Sequence, residues 1–269
     1  MLGNSFNNKF IKIKVLGVNT ASDGELSGGL EALNCMLEKN LHGVNYLAID
    51  RHDKNNLVAC RAAHKFRLLD MADERTLIRN LRGTDLIFVV ADEVWENIKA
   101  VAIAVHCAKK SGATMILIAG GNFQDAEDEI IFDAVMKLPS ENFAAEAANI
   151  VESFLAAMTL PGYPKLDFRT FAEFIKDSAS IVGYGEAKNS VAFAANRALK
   201  NLTSTEDTFK ASTRILFNVT APKEKFSLDR AEKLPKLVKR YAPAAEVSFG
   251  FSVNDLLVRK VKFLILAAQ

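Results

Sequence analysis

Residues 85–120 constrain the fold more than any other stretch. They read as strand, helix, strand without interruption: DLIFVVA, then DEVWENIKAVAIAVHCAKKSG, then ATMILIAG. Such a unit belongs to a parallel sheet covered by helices on both faces. In nucleotide-binding proteins of this class the turn after the first strand is usually rich in glycine. Glycine lets backbone N–H groups close around a phosphate at the next helix N-terminus. In this chain the turn is Ala91-Asp92-Glu93-Val94-Trp95, with two carboxylates and no glycine. Acids suit a helix N-terminus by themselves. They also repel a phosphate there, by on the order of 1 kcal/mol per charge pair. The loop therefore opposes the chemistry that the fold suggests.

The rest of the first half repeats the alternation. IKIKVLGV (11–18) reads as a first strand, and a polar segment, NTASDGELSGG, leads to a helix. Leu30, Leu33, Leu37 and Leu41 share one face of that helix. VNYLAID (44–50) is a second strand, KFRLL (65–69) a short third, and 73–82 a helix. The helix inside the 85–120 unit sets Trp95, Ile98, Ala102 and Val105 on one face. A further helix is expected at about 125–137.

LPSE (138–141) is a turn with a capping signal. Residues 142–158 then form a helix of roughly 25 Å. Phe143, Ala147, Ile150 and Phe154 lie on one face of it and alanines fill much of the remainder, the pattern of a helix buried on most sides. PGYP (161–164) stops it. Beyond it come a helix at 168–180, the segment IVGYGEA, a helix at 188–200, and the strand RILFNVT (214–220). SLDRAEKLPKLVKRY follows as a helix kinked at Pro235, then strands at 245–252 and 257–268. The expected organisation is a Rossmann-like α/β domain over 10–138, a central helix and connection over 139–163, and a smaller α/β domain over 164–269.

Composition excludes several classes. The chain has 269 residues, 49% of them apolar and 25% charged, with a net charge of +2, which gives no global attraction to nucleic acid or to a membrane. The N-terminal run MLGNSFNNKF lacks an apolar signal core, and no apolar run approaches a membrane span. Three cysteines, Cys35, Cys60 and Cys107, form no CxxC pair. A reducing cytoplasm is the expected setting.

Several residues invite a chemical reading, each with a plainer one beside it. Gly28-Gly29 lies between strand 1 and helix 1, where phosphate loops sit, but neither GxGxxG nor GxxxxGK[ST] is present. The plainer reading is a turn with Ser27 as the helix cap. Asp50, His52 and Asp53 follow strand 2, where α/β ligands often bind. They lack an obvious fourth metal ligand, and a solvated loop accounts for them better. No metal is expected. His106 and Cys107 are adjacent on a helix and so point about 100° apart, a poor dyad. GxSxG is absent. Gly120-Gly121-Asn122 has the form of an anion nest, beside an acidic run from Asp125 to Glu129 that favours a turn. The stretch Lys223 to Arg240 carries seven Lys or Arg and three acids. Phe226, Leu228, Leu234, Leu237 and Val238 punctuate it at helical spacing, which suits the solvated face of a packed helix rather than a nucleic-acid surface.

The order of elements resembles the bacterial tubulin-like cell-division family FtsZ. EALNCMLEKNLHGVNYLAID (31–50) looks like that family's first helix and second strand, with the N-x-M of Asn34 and Met36 and the G-V of Gly43 and Val44. LRGTDLIFVVA (81–91) is similar to the strand before its signature loop, and CAKKSGA (107–113) to the helix end after it. PGYPKLDF (161–168) resembles P-G-x-x-N-x-D-F, and RILFNVT and VKFLILAA (261–268) resemble later strands. The resemblance implies an α/β fold: a parallel, Rossmann-like sheet domain joined through a long central helix to a smaller α/β domain.

It also implies where a GTP site would lie and how this chain departs from it. The family's GGGTGTG loop, which grips the triphosphate, becomes Asp92 to Asn97. Its first glycine-rich loop becomes the longer polar segment Asn19 to Leu30, followed by Glu31 where the family has asparagine. The γ-phosphate loop is reduced to LLDMADE, and the aspartate that reads guanine falls near Ala145. In the catalytic loop N-x-D-x-x-D, Asp167 remains, but Lys165 and Thr170 replace its partners. Gly17, Ser27, Gly28, Gly29, Asp92, Trp95 and Asn97 are then the remnants of a cofactor site, and Asp167 the remnant of a catalytic one. The expectation is an FtsZ-like structural or interaction protein without a cofactor, whose partner is an FtsZ-like protein or itself. The alternative is an unconventional GTP-binding, GTP-hydrolysing filament former. Family members usually continue into a linker and an adaptor-binding tail, whereas this sequence ends at the last strand.

Overall fold

The computed structural model describes residues 11–19, 26–41, 43–50, 54–67, 71–92, 98–120, 132–138, 141–176, 180–202, 209–225 and 233–268. The first part runs β1 (Ile13–Val18), α1 (Gly28–Glu38), β2 (Val44–Asp50), α2 (Lys54–Ala59), β3 (His64–Arg67), α3 (Met71–Leu81), β4 (Leu86–Ala91), α4 (Ile98–Lys109), β5 (Thr114–Gly120) and β6 (Ala134–Leu138). Helix α5 (Phe143–Thr159) follows, and then α6 (Phe168–Lys176), β7 (Ser180–Lys188), α7 (Val191–Leu202), β8 (Arg214–Ala221), α8 (Leu234–Lys239), β9 (Glu246–Val253) and β10 (Lys260–Ala268).

Ten strands form one sheet in the order β3-β2-β1-β4-β5-β6-β7-β10-β8-β9. Pairing is parallel from β3 through β7. Strand β10 then enters antiparallel between β7 and β8, and β9 runs parallel to β8. The six residues of β4 are all buried, as a central parallel strand requires. Alternate residues face opposite layers. Phe88 and Val90 join Val15 and Ile116 beneath α1 and α5, while Ile87 and Val89 join Leu16 and Leu117 beneath α3 and α4. A third core lies between α7, α8 and the other face of the C-terminal strands.

Helix α5 is the spine. Twelve of its 17 residues are buried, so it has almost no solvated face. The apolar cluster around it runs from Val15 and Phe88 across to Val182, Leu216 and Leu264, so one helix covers the same face of both parts of the sheet. Phe143, Ala147, Ile150 and Phe154 are all buried, as their spacing predicts.

Local expectations fail in several places. Residues 134–138 are a strand, not the end of a helix: they pair with Ile116–Gly120 and expose Lys137 while burying Met136 and Leu138. Residues 121–131 lie outside the described residues. The helix expected over 168–180 ends at Lys176, and β7 already begins at Ser180. The helix expected at 188–200 starts at Val191, because β7 extends to Lys188. Pro235 stands in the first turn of α8, where its missing N–H costs nothing; residues 226–232 of the kinked helix expected there lie outside the described residues.

Candidate functional site

The candidate crevice is at the carboxyl ends of β1, β4 and β5, where α/β ligands usually bind. Parallel pairing sets Gly17 of β1 beside Val90 of β4. The chain turns into α1 immediately over these strand ends. Gly29 permits the approach: a Cβ there would lie 2.5 Å from the Val18 carbonyl oxygen and 2.6 Å from that of Val90. Gly17 receives the helix from below, with the Gly29 carbonyl oxygen 2.6 Å from where its Cβ would stand. These two glycines thus serve close helix–strand packing.

The start of α1 is occupied by a side chain from elsewhere. The Gly28 N–H donates to Asp92 Oδ2 at 2.6 Å, and the Gly29 N–H to Asp92 Oδ1 at 3.2 Å. Both carboxylate oxygens are engaged, at the positive end of the helix. Gly28 leaves the room for this, since a Cβ there would sit 2.6 Å from Asp92 Oδ2 and 2.9 Å from the Phe143 ring. Ser27 holds the cap position but not the capping role. Its hydroxyl makes no cap bond and instead donates to the Val18 carbonyl at 3.3 Å. The acid read as suiting the helix after β4 therefore caps the helix after β1.

Phe143 closes the other side. Its ring is buried and lies 3.0 Å from where a Cβ on Gly120 would stand, with the Asp92 backbone 3.2 Å from the same point. Ala145, two residues on, is exposed. Asp50 is fully buried at the end of β2, next to the Asn19 N–H that donates to the Ile49 carbonyl at 2.7 Å. The solvated-loop reading does not hold for Asp50. His52, Asp53, Glu93, Trp95, Asn97, Gly121 and Asn122 lie outside the described residues.

Asp167 is placed on a different surface. The turn after α5 is pinned to β9: the Phe251 N–H donates to the Pro164 carbonyl and the Val253 N–H to that of Pro161, both at 2.8 Å. Tyr163 is left 70% exposed. Asp167 Oδ1 accepts the Thr170 N–H at 2.7 Å and so caps α6. That amide chiefly holds the Asp167 carboxyl below the usual aspartate range.

The other candidates separate. His106 is exposed on α4 while Cys107 is buried, and burial pushes the Cys107 thiol up to about 11, the reverse of an activated nucleophile. Among the described residues no group of three or more His, Cys, Asp or Glu side chains is placed to hold a metal ion. No helix among them is long and apolar enough to cross a membrane.

Sequence reading missed a charge relay behind the spine. Lys262, only 4% exposed, pairs with Glu152 of α5 at 2.8 Å, and Glu152 also takes Lys39 at the end of α1 at 2.9 Å. One carboxylate thus ties α1, α5 and β10 together. The available signal was a lysine inside the apolar run VKFLILAA, at a position that alternation turns toward α5.

No protein-family model matches the chain. Solved structures do. A point variant of FtsZ from M. jannaschii aligns with a TM-score of 0.77 and 16% identity, over 96% of this chain and 91% of that one. The empty FtsZ dimer of the same organism gives 0.74 and 17%, over 96% and 88%. CetZ from Methanosaeta thermophila gives 0.72 and 14%, over 96% and 86%. The chain has the FtsZ/tubulin-like fold. Within that fold, Asp92 at the end of β4 meets the start of α1 through its carboxylate.

Proposed function

We propose that this chain is an FtsZ-like structural or interaction protein that neither binds nor hydrolyses GTP in the conventional way. The Asp92 carboxylate on the Gly28 and Gly29 amides carries this reading. Amides at a helix N-terminus are the donors that a nucleotide phosphate uses. A phosphate would have to displace Asp92 and then meet its charge, and Glu31 adds another in the first turn of α1. Ala145 in place of the base-reading aspartate and Thr170 in place of the last catalytic-loop acid point the same way. No cofactor is then needed. The protein would act in the cytoplasm through contacts with an FtsZ-like partner or with itself, in cell division or a process derived from it. The surface over 163–170 keeps Asp167 and Tyr163 outward and is the face offered to such a partner.

Calorimetric titration with GTP and Mg²⁺ is the test. The expected result is no saturable heat at micromolar protein and no phosphate release above a buffer blank. A micromolar dissociation constant, or long filaments of this protein alone that require GTP, would return it to the unconventional GTPases.

A further inference from the structure

Helix α8 and the start of α7 wall a concave groove with a cavity volume of about 560 Å³. Its floor is apolar. Val191 and Leu237 present half-buried side chains, with Leu234 and Val261 beneath them. Around this floor stand four cations, Lys225, Lys233, Lys236 and Arg240, and none of the described lining residues is an acid. The first turn of α7, a helix of 12 residues, opens onto the same space and adds its positive end. Among the described lining residues nothing cancels this charge. Over 223–240 the chain has seven basic residues against three acidic ones. Glu224 is mostly exposed and 3.7 Å from Lys225, a weak pairing.

We propose that this groove binds an acidic amphipathic segment of a partner protein. Its apolar side chains would pack on Val191 and Leu237 while its carboxylates meet the four cations, the helix-in-groove mode with electrostatic selection. The volume lies in the range of built binding pockets, about 300–1,000 Å³. The apolar floor of Val191, Leu234, Leu237 and Val261 offers contact that a single small anion would not use. Concavity argues against a bilayer, whose flat surface would touch the cationic rim and miss the recessed floor. The groove shares no residue with the crevice around Asp92, so this inference stands whether or not GTP binds.

The test is fluorescence anisotropy of the full chain with a labelled amphipathic peptide of Leu and Glu, beside its Leu and Gln counterpart. The acidic peptide is expected to bind saturably, and the Gln peptide about tenfold or more weaker. The double change Lys236→Glu with Arg240→Glu, at exposed positions, should weaken the acidic peptide by about tenfold or more and leave the melting temperature unchanged. Leu237→Ser should weaken it with every charge intact, and Lys236→Gln should give a smaller loss of the same sign. Equal binding by the double variant, equal binding of the two peptides, or no binding of the acidic one would overturn the proposal. So would sedimentation with phosphatidylserine vesicles that the double variant abolishes, since the surface would then belong to a membrane.

Discussion

Asp92 and Asp167 each place a carboxylate on backbone amides at the start of a helix, but over very different spans of chain. Asp167 reaches forward three residues to Thr170, and Asp92 reaches back across 64 residues to Gly28. The first contact is local and needs only the first turn of α6. The second exists only once β1 and β4 are paired and α1 is seated on their ends. A local cap trims one helix; a long-range cap fills a crevice. The same chemistry is therefore a matter of stability at one site and a matter of ligand access at the other.

Both sites hang on one ring. Phe154, 1% exposed, packs against Phe88 of β4 with centroids 5.4 Å apart, and against Phe171 of α6 at 5.1 Å. Phe88 lies on the strand that delivers Asp92, and Phe171 on the helix that Asp167 caps. Phe154→Ala should cost about 3–5 kcal/mol by urea unfolding, the largest effect expected. A change under about 1 kcal/mol would mean that the two sites do not share this frame.

The next effect is electrostatic. Burial alone would raise the Glu152 carboxyl, but the Lys262 ammonium and then Lys39 more than offset it, so the carboxyl is held below the usual glutamate range. A lowered carboxyl contributes stability above its unfolded pKa, and that contribution is lost as pH falls through the folded one. Acid unfolding should therefore steepen below about pH 4.5. Glu152→Gln leaves Lys262 buried without its carboxylate and should cost about 3 kcal/mol at neutral pH. It should also flatten the acid limb. An unchanged acid limb would remove Glu152 as its source.

The legible parts of the molecule are those decided by neighbours in sequence. The 85–120 unit, α5 and its buried face, and the α1 leucines all follow from periodicity. Residues 134–137 were misread because Ala, Met and Lys favour helix by propensity, and pairing with β5 overrides that preference. Asp92 could be seen as an acid at the end of a strand. Its target could not, because nothing near it in the chain says that Gly17 pairs with Val90. Glu152 and Lys262 are hidden for the same reason.

Asp92→Ala sharpens the contrast directly. It strips two amides of α1 of their acceptor, at a cost of about 1–2 kcal/mol. It also opens the helix N-terminus. The expected outcome is weaker folding together with new, weak binding of inorganic phosphate that protects against heat. Asp92→Asn should cost less and gain less, since an amide oxygen still accepts. Loss of stability with no gain in phosphate binding would reduce Asp92 to a cap and nothing more.

Asp167→Ala is the matching change at the local cap, and the smallest of the set. The side chain is exposed, and removing it deprives one amide in the first turn of α6, worth about 1 kcal/mol. Its carboxyl is lowered mainly by the Thr170 amide, so its contribution is present above the ordinary aspartate pKa and fades on acidification. The wild-type advantage over Asp167→Ala should then shrink below about pH 4. Nothing about phosphate binding should change, because the helix it caps starts on a surface held to β9 and away from the Asp92 crevice. Asp167→Asn should recover most of the loss, since asparagine caps nearly as well as aspartate. If Asp167→Ala altered phosphate or nucleotide binding as Asp92→Ala does, the two carboxylates would belong to one site, and their separation into a structural cap and a crevice plug would fail.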